Sequence, residues 1–147
     1  MSNKSIIEKL QETTSYLTNN ITFKPTIGIV LGTGLNGLSN EIDTIAEIDY
    51  SDIPNFPLST VESHQGKLLF GKLSEKNVVV MKGRFHCYEG YSMQEITFPI
   101  RVLKGIGVNT LIISNAAGSL NPLFKKGSIM IIDDYINLLG TTPLVGE

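Results

Sequence analysis

The chain has 147 residues, 41% of them hydrophobic and 18% charged, with a formal net charge of −2. That length suits one domain with a genuine core and is short for two. Acids and bases are scattered rather than blocked, which excludes a nucleic-acid-binding stripe or a membrane-surface face.

The N-terminal run MSNKSIIEKLQETTSY is broken by charges every few residues and does not read as a secretory leader. Residues 4–18 bring Ile6, Ile7, Leu10 and Leu17 near one face, the pattern of an amphipathic helix. Pro25 stops it, and TIGIVL (residues 26–31) reads as a buried strand that runs into the glycine loop. TIAEIDY (44–50) is the next strand, followed by a proline-punctuated loop. KLLFGKL and NVVVMKG form a strand pair joined by the short polar turn SEK. From Met93 to Ile106 the apolar residues Met93, Ile96, Ile100, Leu103 and Ile106 recur at helical spacing, with Pro99 a potential kink. NTLIIS (109–114) is a second buried strand, and SIMIIDDYIN (128–137) reads as a last one.

No apolar run approaches a membrane span. The single cysteine, Cys87, forms neither an internal disulfide nor a metal cluster, so the expected compartment is a reducing cytoplasm. Strands alternating with helices give a single α/β domain over residues 1–147, built on a mixed, largely parallel central sheet flanked by helices. A sheet this apolar needs cover on both faces, and only two convincing helices are present. The chain therefore reads as the front part of a longer protein, incomplete at its C-terminal side.

The loop GIVLGTGLNGL contains a literal G-x-G-x-x-G at Gly32, Gly34 and Gly37. A strand followed by such a turn gathers backbone N–H groups around one point, where an anion can sit, and Thr33 adds a hydroxyl donor. A dinucleotide site would add an acidic residue about twenty positions on, for which Glu47, Asp49 or Asp52 could serve. It would also need a real helix after the loop, and NEID offers hardly any apolar face for one. A loop that only turns the chain is the plain alternative.

KGRFHCYEGY (82–91) packs Arg84, His86, Tyr88, Glu89 and Tyr91 behind an apolar strand, where open α/β sheets place ligands. Arg84 offers a planar fork of donors matched to phosphate oxygens. His86 and Tyr88 follow at the two-residue spacing that shares a face in extended chain. An ordinary strand end with a solvated arginine and a surface histidine is the competing reading. His64, in a polar loop, would on composition alone be a surface residue. Asn115 follows a buried strand, where small neighbours let a ligand approach the backbone.

Taken in order, GIVLGTGLNGL, IPNFPLSTVESHQGKL, KGRFHCYEGY, TFPIRVLKGIGV and ISNAAGSLNPLFKKGSIMIIDDYINL resemble the trimeric purine nucleoside phosphorylases that handle inosine and guanosine. The resemblance runs from about Ile27 to the end. It implies reversible phosphorolysis of a purine nucleoside to free base and ribose 1-phosphate, with inorganic phosphate as co-substrate and neither metal nor organic cofactor. It implies phosphate contacts from Thr33, His64, Arg84, Phe85, His86, Asn115 and Ala116, although the Phe85 side chain is expected to be structural. Tyr88 would pack on the ribose, and His86 and Glu89 would be the catalytic pair, Glu89 orienting the imidazole. Thr33 stands where the family usually has serine, so a hydroxyl is retained.

Family chains are about twice as long, and the absent half carries the groups that read the purine. The 147-residue chain alone is therefore expected to have little activity, with a homotrimer implied for the complete enzyme. Methylthioadenosine phosphorylase, whose loop can also read G-T-G, and a non-catalytic remnant are the alternatives.

Overall fold

The computed structural model describes residues 4–32, 34–58 and 66–145. Thr33 and His64, both expected at the phosphate site, lie outside the described residues.

Helix α1 spans Ile6–Asn20 and is started by a capping box, in which the Ser5 hydroxyl accepts from the Glu8 amide while the Glu8 carboxylate accepts from the Ser5 amide. Its inward stripe is Ile6, Leu10, Thr13 and Leu17. Ile7, expected on that stripe, is exposed, and the spacing 6, 10, 13, 17 explains why: a residue one step along turns about 100° off the face. Thr13 takes the inward position without orphaning its hydroxyl, which donates to the carbonyls of Lys9 and Pro54.

Five strands follow: β1 (Ile27–Val30), β2 (Asp43–Asp49), β3 (Lys67–Leu73), β4 (Lys76–Lys82) and β5 (Thr110–Ile113). Helix α2 (Met93–Gly105) lies between β4 and β5. The strand order is β2-β3-β4-β1-β5. β2–β3 and β3–β4 pair antiparallel, whereas β1 pairs parallel with both β4 and β5. The sheet is mixed as expected, its described pairings divided evenly between the two senses.

Alternation along the strands builds two apolar layers. Val30, Leu68, Phe70, Val79 and Met81 face α1 and α2, meeting Leu17, Phe98, Val102 and Leu103. Ile29, Leu69, Val78 and Val80 face the other way, with Leu31 and Ile42. Both helices therefore cover the same face.

Two expectations fail. β5, expected as a buried strand, is exposed along its whole length. The run 128–137 is not a strand, and from Ser114 to Val145 the described chain carries neither helix nor strand. As expected, Pro99 lies within α2, which continues to Gly105 with the proline ring itself buried. Ser92 caps that helix as Ser5 caps α1.

Candidate functional site

Because β1, β4 and β5 run parallel and in register, with Val30 opposite both Met81 and Ile113, their carboxyl ends emerge at one edge of the sheet. Three segments leave there side by side: Leu31–Gly32 after β1, Gly83–His86 after β4, and Ser114–Ala116 after β5. Open α/β sheets bind their ligands outside such strand ends.

Arg84 crosses this edge. Its Nη1 donates to the Ser114 carbonyl at 2.9 Å and its Nε to His86 Nε2 at 3.1 Å, so two of its five N–H donors engage described residues. The second bond assigns the histidine tautomer. Nε2 accepts, so Nδ1 carries the proton and donates to Glu89 Oε1 at 2.8 Å. The same oxygen accepts from the His86 backbone N–H at 2.9 Å. The Glu89 side chain is 6% exposed, and its other oxygen is buried with no partner among the described residues.

Tyr88 lies flat on the imidazole, centroids 4.6 Å apart and planes within 16°, with 83% of its surface in solvent. It is therefore a free aromatic face next to the polar cluster. Phe85 turns the other way into the core, against Tyr50 and Tyr91. Its side chain is structural, as expected, and only its backbone lies along the cluster. Asn115 and Ala116 are exposed and directly follow Ser114, the residue that receives Arg84.

The glycine turn joins the cluster through a residue the sequence reading passed over. Gly32 N–H donates to Ser114 Oγ at 2.9 Å, and that hydroxyl donates to the Val30 carbonyl at 3.2 Å. The approach is so close that a Cβ at position 32 would lie 2.6 Å from the Ser114 carbonyl oxygen, so glycine is required there. The only available signal for Ser114 was its place at the end of an apolar run that leads into small residues.

Tyr50 was also missed, since it reads as one more apolar residue at the end of β2. Its hydroxyl donates to the Gly83 carbonyl at 2.8 Å, one residue before Arg84, and its N–H donates to the Gly66 carbonyl at 2.9 Å. Burial pushes its phenol far above the ordinary tyrosine range, so it stays a neutral donor. Tyr91 donates to the Leu58 carbonyl. Burial, followed by the Glu89 and Glu95 carboxylates, holds its phenol above the usual value too.

The dinucleotide reading does not fit this geometry. The glycine turn leads into a six-residue 3-10 helix, Asn36–Glu41, and then into β2, which lies at the far edge of the sheet and pairs antiparallel. Among the described residues no α-helix follows the turn to present its N-terminus to a pyrophosphate. Clefts of about 300 and 490 Å³ flank α1, and neither is lined by Arg84, His86 or Ser114.

An arginine, an imidazole–carboxylate pair and a glycine turn thus gather at the carboxyl ends of three parallel strands of an α/β domain. The chain belongs to the phosphorylase superfamily, whose family model matches residues 26–147. It is 48% identical over 139 residues to purine nucleoside phosphorylase 1 of Bacillus subtilis, covering 95% of this chain and 51% of that protein. It is 46% identical over 149 residues to purine nucleoside phosphorylase of Rattus norvegicus, covering 99% and 52%. Among solved structures, a schistosoma purine nucleoside phosphorylase in complex with hypoxanthine superimposes with a TM-score of 0.76 at 43% identity, covering 84% of this chain and 43% of that one. The chain thus spans about half the length of these relatives.

Proposed function

We propose that this chain carries the phosphate-holding part of a purine nucleoside phosphorylase. The reaction is nucleoside plus phosphate giving free base plus ribose 1-phosphate, in a cytoplasmic, trimeric enzyme of purine salvage that uses no metal or organic cofactor. The observation that carries the reading is the convergence of Arg84, His86 and the glycine turn on one sheet edge. Identity to named purine nucleoside phosphorylases favours this activity over methylthioadenosine phosphorolysis.

The chemistry follows from the groups. Arg84 supplies a positive, planar fork to the anionic phosphate oxygens. With Nδ1–H held on Glu89, His86 Nε2 is the ring's acceptor; it takes the hydroxyl of hydrogen phosphate when the Arg84 Nε–H that it accepts in the free site turns to a phosphate oxygen. Thr33, His64 and the backbone of Asn115 and Ala116 complete the cradle, and the exposed Tyr88 ring lies under the ribose. As the C–N glycosidic bond breaks, the sugar carbon becomes cationic. The held phosphate oxygen forms the new C–O bond, and the base leaves with the electron pair and takes a proton. Fixing a phosphate dianion beside a forming cation contributes both electrostatic stabilisation and proximity.

Titration of the 147-residue chain with inorganic phosphate, followed by calorimetry, is the test. We expect saturable binding, weakened about tenfold or more in Arg84→Lys, because a lysine lacks the planar fork that bonds Ser114 and phosphate together. Inosine cleavage by this chain alone is expected to be negligible, since contacts to the leaving base contribute orders of magnitude in rate. A melting temperature raised by NAD and unmoved by phosphate would overturn the proposal.

A further inference from the structure

We propose that Ser114 is a positioning residue for the phosphate site: its hydroxyl and carbonyl together fix the glycine turn relative to the Arg84 guanidinium. The inference rests on the phosphate-site reading above and extends it to a residue that need not touch phosphate.

The two halves of the cradle come from neighbouring strands, β1 and β4. The glycine turn continues β1 itself, whereas Arg84 arrives from β4. Arg84 reaches across β1 and finds its fixed point on β5, at the Ser114 carbonyl 2.9 Å away. The same residue holds the turn. Its N–H and its hydroxyl both donate to the Val30 carbonyl at 3.2 Å, and its Oγ accepts the Gly32 N–H at 2.9 Å. These bonds continue the β1–β5 ladder one step past its last registered pair, Val30 and Ile113, where parallel strands would otherwise separate.

The hydroxyl is thus both donor and acceptor, a pairing that threonine repeats and alanine cannot. The fit has no slack, given the 2.6 Å approach of a Cβ at position 32 to the carbonyl that receives Arg84. A further consequence is that the Gly32 N–H is committed to Ser114 and withdrawn from any ligand.

The test compares the 147-residue chain with Ser114→Ala, Ser114→Cys and Ser114→Thr. Each is titrated with inorganic phosphate at a temperature where circular dichroism shows it folded, while the Arg84 Nε–Hε and Gly32 amide resonances are followed. Ser114→Ala removes both hydrogen bonds of the hydroxyl, and we expect a loss of phosphate affinity of about tenfold or more. Ser114→Cys keeps the volume but accepts poorly, and is expected to lose roughly fivefold. Ser114→Thr should lie within about twofold of wild type. In Ser114→Ala the Gly32 amide should exchange with solvent faster than in wild type, a change that lowered global stability alone would spread over the whole sheet.

Wild-type affinity in Ser114→Cys or Ser114→Ala, with wild type itself binding phosphate, overturns the role of Ser114 and leaves the phosphate site standing. Failure of wild type to bind phosphate overturns both. Loss in Ser114→Thr equal to that in Ser114→Ala also overturns it, since the hydroxyl would then not be what matters.

Discussion

At the scale of single residues, Glu89 decides what His86 can do. A carboxylate oxygen that accepts both the imidazole Nδ1–H and the backbone N–H of the same residue locks one ring orientation and one tautomer. We expect ¹⁵N spectra of the wild-type chain to show His86 protonated at Nδ1. In Glu89→Ala the signals should move toward a mixture with the Nε2–H form, and an unchanged tautomer there would remove Glu89 from this role. Gly66 carries a steric requirement of another kind, because a Cβ would come within 2.2 Å of the Tyr50 ring. Gly66→Ala is therefore expected to destabilise the fold by about 1–3 kcal/mol, as overpacking does, measured by urea unfolding. Arg84, His86, Tyr88 and Glu89 were legible in the sequence because polar and aromatic side chains clustered behind an apolar strand have few structural reasons to be there. Ser114 and Tyr50 were not. Their importance lies in which backbone groups their hydroxyls meet, and those partners stand 33 to 84 positions away in the chain.

At the scale of elements, local chemistry was readable wherever it was self-sufficient. The β3–β4 hairpin is closed by Ser74 and Glu75, both with positive φ, at 46° and 62°. That is the twist a two-residue hairpin demands, but it is served here by residues that resist it. Replacing the pair by Asn-Gly is expected to stabilise the domain by about 0.5–1 kcal/mol, read as a higher urea midpoint. In α2 the capping box at Ser92 offsets the missing amide of Pro99, and the buried side chains Phe98, Val102 and Leu103 keep the helix continuous. Hydrogen bonds from the Ser92 side chain and backbone hold Glu95 below its ordinary value of 4.5. A depressed carboxylate stabilises the fold above its unfolded value and loses that contribution as pH falls through the folded one. Ser92→Ala should therefore cost about 1 kcal/mol near neutrality, and the gap to wild type should narrow below pH 4.5. The run SIMII was misread for the opposite reason. An apolar run of strand length becomes a strand only when another strand supplies its hydrogen bonds, and none of the described strands pairs with it.

At the scale of the whole molecule, the surface is polarised. β1 is buried, with Ile29 and Val30 at 6% and 5% exposure, while its neighbour β5 leaves Ile112 and Ile113 at 51% and 61%. Beyond it Leu120, Ile129, Ile131, Tyr135, Ile136 and Leu138 stand in solvent. A strand whose outer edge has no described partner and whose side chains are apolar on both faces is a template for association. We expect the 147-residue polypeptide to enhance the fluorescence of a hydrophobic dye and to sediment as concentration-dependent oligomers. Placing a charge on β5 separates association from folding. Ile112 lies opposite Ile29 in the ladder but is itself half in solvent. Ile112→Lys should therefore shift sedimentation toward monomer while changing unfolding free energy by about 0.5 kcal/mol or less, as surface substitutions do. A wild-type chain that sediments as a single monomer at all concentrations and leaves the dye dark would show that this edge is covered. The apolar run from Leu120 to Leu138 would then have to be folded back over β5.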